Sequence, residues 1–396
     1  MMKDRKIYCL NKIAKVGTDR FRTGYSLTDN MEEAAGVLVR SADMKSMALP
    51  EGLRAIARAG AGVNNIPIDR CSEAGIVVFN TPGANANSVK ELVLCGLLLS
   101  ARDVVGGINW VKSNSADENI AADTESAKKQ FSGHEIQGKT LGIIGLGAIG
   151  GIVANAAVAL GMKVYGYDPF MSVQAAWNLS PMVHHAESEA EVYAVSDYLT
   201  IHVPATDSTK GMINRETIKK LKRGAVVLNF ARDVLVDEKA MTEALIEGQV
   251  SRYVTDFPNT VSANMDKAIV IPHLGASTEE AEDNCAIMAA DQLQDYLDNG
   301  NILHSVNFPE LNMGRCEAAA RVAILHRNIP NMLSQITSFF GAHGLNIENL
   351  ANKSRGDYAY TLLDLNRAMP HDTVERLREI DGLLRIRKVY ENKNQQ

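Results

Sequence analysis

A chain of 396 residues with 46% hydrophobic and 22% charged side chains is long enough for two or three cores and has the make-up of an ordinary soluble globular protein. Its net charge of −6, with no basic tract, argues against nucleic acid as a partner. The most apolar segment, Leu92 to Ala101, is about half a membrane span, and the N-terminal MMKDRKIYCLNK lacks a signal-peptide core, so no membrane partner and a cytoplasmic location are expected. The 5 cysteines (Cys9, Cys71, Cys95, Cys285, Cys316) are scattered and odd in number, which suits a reducing compartment better than a disulfide framework or a metal site.

Residues 1 to about 88 alternate short apolar runs with polar helical stretches. Strands are expected at Ile7–Leu10, Gly36–Val39, Ala55–Ala59 and Ile76–Phe79, which together predict a small doubly wound α/β unit. Two loops follow strands here, Arg40-Ser41 and Gly60 to Asn65, and ligands gather at the carboxyl ends of strands in open α/β sheets. The bland reading of Gly62, Asn64 and Asn65 is a turn that caps the next helix. Ser88 opens an apolar helix running to Val105, apolar nearly all round and therefore expected to be buried. Ser113 to Gln130 is polar and reads as a solvated helix or excursion.

Thr140 to Asp168 organises the chain. The run Leu141–Ile144 predicts a buried parallel strand, Gly145-Leu146-Gly147-Ala148-Ile149-Gly150 a tight turn opening a helix, and Lys163–Tyr167 a second strand ending on Asp168. Gly145 permits the turn, Gly147 lets backbone approach a pyrophosphate, and Gly150 lets helix and strand pack. The helix N-terminus offers free N–H groups to phosphates. Asp168 can accept hydrogen bonds from ribose hydroxyls and would repel a 2′-phosphate, so NAD is expected rather than NADP.

Four further strands each end on something useful: Tyr198–His202 on His202-Val203-Pro204, Ala225–Leu228 on Asn229 to Arg232, Tyr253–Thr255 on Asp256, and Ala268–Ile271 on Pro272-His273. They predict a rim of one sheet where a dinucleotide crosses. A long helix follows to Gly300, with Ser277 and Glu280 at capping-box spacing. Asn301 to Gly314 reads as a linker. From Ala319 the pattern strand, helix, two strands, helix, strand predicts a separate ferredoxin-like βαββαβ module.

Together VLVRS (37–41), AGAGVNNI (59–66), VFNTPGANANSVKELV (78–93), GIIGLGAIG (142–150), HVPAT (202–206), NFAR (229–232), DF (256–257) and PHLGAST (272–278) carry a resemblance. Over essentially its full length the chain resembles the D-2-hydroxyacid dehydrogenases, most closely the D-3-phosphoglycerate dehydrogenases that begin serine synthesis. The tail is similar to an ACT domain. The resemblance implies a Rossmann-type NAD domain (89–275) inserted in a smaller flavodoxin-like substrate domain (1–88 and 276–305), followed by an ACT regulatory domain (319–396). It implies NAD as cofactor, 3-phosphoglycerate as substrate, a homodimer or homotetramer, and L-serine as an effector.

Residue by residue, the resemblance implies Arg232 as the fork that grips carboxylate and carbonyl oxygen, and His273 as the acid/base. Asp256 would contact the nicotinamide carboxamide. Gly145, Gly147, Ala148, Ile149, Gly150, Asp168, Val203, Pro204, Phe230, Ala231 and Ala276 would complete the cofactor site with Arg232, Asp256 and His273. Arg40, Ser41 and Asn85 would contact substrate, with Arg40 a partner for its phosphate; Arg54, Arg58 and Lys90 could add charge. His326, Asn328 and Asn346 would hold serine. One departure stands out: relatives place a glutamate where this chain has Val261, and losing a carboxylate there disfavours the imidazolium and loosens its orientation. Asp266, Glu279, Glu280 or a backbone carbonyl are the candidate replacements. The competing readings are a dehydrogenase of another small D-2-hydroxy acid such as D-glycerate, and a non-enzymatic NADH-sensing corepressor.

Overall fold

The computed structural model describes residues 4–391 and contains three sheets. The first holds β1 (Arg5–Cys9), β2 (Tyr25–Thr28), β3 (Gly36–Val39), β4 (Ala55–Arg58) and β5 (Val77–Phe79), all parallel in the order β2-β1-β3-β4-β5, the flavodoxin-like winding. All four residues of GVLV in β3 are buried, as expected of a central parallel strand covered on both faces.

Two helices come next, α1 (Ala86–Ala101) and α2 (Val104–Ser113). They are not the single buried helix that the apolar run suggests. Arg102 is extended (φ −140°, ψ 142°), and the Asp103 carboxylate accepts the Gly106 N–H at 3.0 Å, so one helix stops and another is capped afresh. Only one face of α1 is covered, by Val89, Val93, Gly96, Leu97 and Ser100 at helical spacing. Gly96 lets the helix approach closely, because a Cβ there would lie 3.0 Å from the Phe230 ring and 3.1 Å from Val254. No residue of α2 is buried, and Val104, Val105, Ile108 and Val111 remain 45–49% exposed.

The second sheet holds β6 (Thr140–Ile144), β7 (Lys163–Tyr167), β8 (Val183–His185), β9 (Tyr198–Ile201), β10 (Ala225–Asn229), β11 (Val250–Thr255) and β12 (Ala268–Val270), with α3 (Ala148–Ala159) between β6 and β7. Its order, β12-β11-β10-β9-β6-β7-β8, is parallel throughout and reverses direction between β6 and β9, the Rossmann-type switch point. One face is covered by α1 and α3 through Val93, Leu97, Val153 and Ala157. The other is covered by Val192, Leu221, Met241 and their neighbours.

Helix α4 (Glu279–Asn299) begins after Thr278, whose hydroxyl accepts the Ala281 N–H at 3.1 Å. Thr278 therefore does the capping expected of Ser277. The third sheet holds β13 (Ala320–Arg327), β14 (Ile347–Arg355), β15 (Tyr358–Leu365) and β16 (Leu383–Glu391), with α5 (Met332–Ala342) and α6 (His371–Leu377) on its connections. It is antiparallel in the order β14-β15-β13-β16, the ferredoxin-like arrangement.

The chain divides into two compact units, one made of residues up to Ala84 with those from Glu282 onward, the other of Asn85–Ala281. The antiparallel sheet does not stand apart within the first unit. Leu325, Tyr360, Leu362 and Val389 share a core with Leu293, Tyr296 and Leu297 of α4 and with Phe79 of β5. The expected linker is equally built in: Phe308 is fully buried, Val306 N–H donates to Val78 O at 2.9 Å, and the buried Asn307 side chain bonds Val78, Ser72 and Ile76. Among the described residues no helix is long and apolar enough to cross a membrane.

A buried ion pair joins β13 to β15 in the antiparallel sheet, and its arginine also reaches the end of α4, with Nη1 donating to Asn299 O at 3.1 Å. Arg321 Nε and Nη2 meet the Asp364 oxygens at 2.6 and 2.9 Å, and Nη1 donates to Gly314 O at 2.6 Å, with both side chains almost fully buried. Removing one partner strands a charge in low dielectric. We expect Asp364→Leu to cost about 3–5 kcal/mol in guanidinium unfolding, and Arg321→Met/Asp364→Leu together to recover most of it.

Candidate active site

Because β9 to β12 are successive parallel neighbours, the loops leaving their carboxyl ends share one rim with the loop leaving β6. At β6 the chain turns through Gly145 at φ +92°, a left-handed conformation, with a Cβ there 2.7 Å from His202 O. Gly150 has no room for a side chain at all, since a Cβ would lie 1.9 Å from Gly145 O. Gly147 is the opposite case: nothing lies within 4 Å of its Cβ position, and it is exposed together with Ala148. That open space lies at the N-terminus of α3, which no side chain caps. Free N–H groups and the positive end of a helix are therefore presented where a ligand can reach them.

Asp168 closes the turn from the next strand. Its Oδ2 accepts the Leu146 N–H and its Oδ1 the Phe170 N–H, each at 2.9 Å. Each carboxylate oxygen keeps a lone pair for a further donor. This combination of an open glycine cradle, an uncapped helix start and an anchored acid fits the pyrophosphate and ribose of a dinucleotide. Of the remaining positions expected to meet cofactor, Val203 and Ala276 are half-buried and Pro204 is exposed. Phe230 is buried in the core under α1, so it can offer only backbone to a ligand.

On the neighbouring strands three charged groups converge. The turn after β10 is shaped by Asn229, fully buried, whose Oδ1 accepts the Ala231 N–H at 3.1 Å and whose Nδ2 donates to Arg232 O at 2.8 Å. Arg232 is exposed, with Nη1 resting on Ala231 O at 2.6 Å. Asp256, after β11, is 2% exposed. The loop after β12 folds back onto it: His273 N–H donates to Asp256 O at 2.9 Å and Gly275 N–H to Asp256 Oδ2 at 3.2 Å. His273 itself sits at φ +35°, a region that non-glycine residues seldom occupy and that marks functional turns. Its exposed ring packs on Phe257 with centroids 4.9 Å apart.

Burial pushes the Asp256 carboxyl above the usual aspartate range, opposed by the charges of His273 and Arg232 and by the Gly275 N–H. Its Oδ1 is buried without a partner, an acceptor waiting for a donor such as a carboxamide. Val261 is half-exposed in a short turn, and among the described residues no carboxylate hydrogen-bonds the His273 ring. Asp266, Glu279 and Glu280 do not bond the ring, and the acid that His273 contacts, through its backbone N–H, is Asp256. His202 is a different kind of group. Burial pushes it down to about 4, and its Nε2 pairs with Thr200 Oγ1 at 3.0 Å, so it stays neutral.

The loops of the other unit are held by side chains that sequence reasoning gave other roles. Arg58 Nε donates to Arg40 O at 3.0 Å, and Asn65 Nδ2 to Ala42 O at 2.7 Å. Asn65 is therefore a brace for the Arg40–Ser41 loop and not a helix cap. Arg40 pairs with Glu282 at 2.6 Å, and Ser41 is exposed. Asn85 precedes α1 without capping it, and Lys90 bonds Asn87 on the same helix.

In the antiparallel sheet, His326 is 2% exposed with Nδ1 on Arg327 O at 2.8 Å and Nε2 on Thr361 Oγ1 at 2.9 Å. Both ring nitrogens are spent on the fold, so within one chain it is not free to hold an effector. Asn328 and Asn346 are exposed, but at opposite ends of the sheet, beside the β14–β15 turn and beside Leu365 respectively. A strand of that length separates them by about 25 Å.

The pH dependence of stability follows from Asp256. Its raised folded-state value means the native state favours the protonated carboxyl. The associated stability is complete below the ordinary carboxylate value and is lost as pH rises from there through the raised one. We expect Asp256→Asn to melt above wild type at pH 7, with the gap closing as pH falls toward about 4. Thermal melts across that window check this.

Residues 96–275 match the family model described as D-isomer specific 2-hydroxyacid dehydrogenase, NAD binding domain. The chain is 34% identical over 342 residues to the D-3-phosphoglycerate dehydrogenase of Haemophilus influenzae, covering 83% of this chain and 79% of that one. It is 33% identical over 335 residues to the enzyme of that name from Methanocaldococcus jannaschii, covering 82% of this chain and 62% of the longer relative. The crystal structure of NAD+-bound 3-phosphoglycerate dehydrogenase from Entamoeba histolytica superposes with a TM-score of 0.60 at 28% identity, over 78% of this chain and all of that one. With the glycine cradle, Asp168 and the strand-end charges on this scaffold, the chain belongs to the family of NAD-dependent D-isomer-specific 2-hydroxyacid dehydrogenases.

Proposed function

We propose that this protein oxidises 3-phospho-D-glycerate to 3-phosphohydroxypyruvate, the first step of L-serine biosynthesis. The observation that carries the reading is the meeting of Arg232, Asp256 and His273 at the ends of three adjacent strands.

When bound, NAD supplies the acceptor for the hydride that leaves C2. Gly147 and the N-terminus of α3 would hold its pyrophosphate, Asp168 its ribose and Asp256 Oδ1 its carboxamide. The Arg232 fork grips the carboxylate and the C2 oxygen, which fixes the substrate and polarises the bond as it becomes a carbonyl. The His273 imidazole takes the hydroxyl proton, held in place by its backbone bond to Asp256. In the reverse direction the same imidazolium returns the proton. Arg40 and Ser41 serve the substrate's phosphate, with Arg40 exchanging Glu282 for it, and Asn85 completes the contact.

In the same reading the ferredoxin-like module is an ACT domain that binds L-serine between two copies. Asn328 of one copy and Asn346 of another would contribute, since a single chain holds them apart. The apolar residues left exposed on α2, with Leu98 on α1, suit a homodimer or homotetramer.

Turnover with 3-phosphoglycerate, D-glycerate and D-lactate tests the assignment. We expect 3-phosphoglycerate to be preferred, and His273→Asn to lose about 10²–10⁴-fold in kcat while NADH affinity is kept. Preference for D-glycerate would point to a non-phosphorylated acid. Tight NADH binding with no turnover of any acid would point to a cofactor sensor.

A further inference from the structure

A cavity of about 600 Å³ lies between the segment leading into β4 and strand β16, within the unit that holds both. Its wall carries Arg54, Arg378, Arg385, Arg387 and Lys388 against Glu51. Two of these cations are already matched, Arg378 by Glu375 at 3.2 Å and Lys388 by Glu391 at 3.0 Å. The other three are not: among the described residues no carboxylate lies within ion-pair distance of Arg54, Arg385 or Arg387.

Arg387 is the most telling. It is 5% exposed, its guanidinium lies 4.2 Å from the centre of the Tyr296 ring, and Nη2 reaches only backbone carbonyls, Leu297 O at 3.3 Å and Tyr296 O at 3.5 Å. Its Nε and Nη1 are buried with no acceptor. Arg385 donates to the carbonyls of Leu53 and Glu51 and to no anion. Burial pushes Arg54 down to about 10, with the charges of Arg387, Arg5 and Arg385 adding to the effect. Nearby Arg5 has its own counter-charge in Asp298. Three clustered guanidinium groups repel one another at short range, and among the described residues Glu51, which lines the same wall, forms an ion pair with none of them.

We propose that this cavity binds a compact phosphate-bearing anion of two or more negative charges, held by Arg54, Arg385 and Arg387. Planar guanidinium forks match phosphate oxygens, and the volume is that of a metabolite site. The anion would neutralise the cluster and tie β16 of the antiparallel module to the Leu53–Arg54 segment that leads into β4. It shares no residue with the group formed by Arg232, Asp256 and His273 and does not rest on the substrate assignment.

The test uses the full chain saturated with NAD, titrated with pyrophosphate by calorimetry and by thermal melting at constant ionic strength. We expect one pyrophosphate-dependent rise in Tm per titration, with affinity weakened at least about tenfold in Arg54→Gln and in Arg385→Gln while NADH affinity is unchanged. In anion-free buffer Arg54→Gln should melt no lower than wild type, because it relieves repulsion. Arg378→Gln, at the paired edge of the cavity, gives a milder loss and serves if either buried variant fails to fold. Absence of binding in wild type, equal binding in all variants, or an equal rise with potassium chloride alone overturns the proposal. Tighter binding of citrate than of pyrophosphate overturns its phosphate character.

Discussion

The candidate site depends on one strand exit folding back onto another. The His273 N–H reaches the Asp256 carbonyl at 2.9 Å and the Gly275 N–H reaches its carboxylate at 3.2 Å. Those bonds hold His273 in a left-handed backbone conformation and bury Asp256 beneath it. The parallel sheet makes this possible, because β10, β11 and β12 deliver their loops side by side at the same edge. A buried acid then faces a guanidinium and an imidazole, whose charges offset only part of its cost in desolvation. With Val261 exposed and away from the ring, the histidine is oriented through its backbone and its packing on Phe257.

The second constraint is at the glycine turn. Gly145 and Gly150 are required by sterics, while Gly147 is surrounded by open space, so the three glycines of one motif answer to different demands. Asp168 links them to the next strand by accepting from Leu146 in the turn itself. The acid thus shapes the turn as well as offering lone pairs to a ligand.

Much of this was legible in the sequence because it is written in local terms. The unbroken apolar strands, the glycine spacing and the residues at strand ends depend on neighbours a few positions away. The edge strands β2 and β8 were not legible, since YSLT and VHH are half-exposed and lack a continuous apolar run. The break between α1 and α2 hides inside an apolar stretch and is set by Asp103 as a cap. Asn229, Asn65 and Arg58 act by bracing loops through backbone carbonyls, a role that no residue type announces. The burial of Asn307 and Phe308 and the cation cluster around Arg387 arise from segments more than two hundred residues apart, and only the fold brings them together.

The backbone bond from His273 to the Asp256 carbonyl makes these two residues one working unit. A double-mutant cycle tests that most directly, with kcat/KM for 3-phosphoglycerate measured in wild type, Asp256→Asn, His273→Asn and the double variant. The double variant should lose about as much activity as His273→Asn alone. Losses that simply multiply would contradict the coupling.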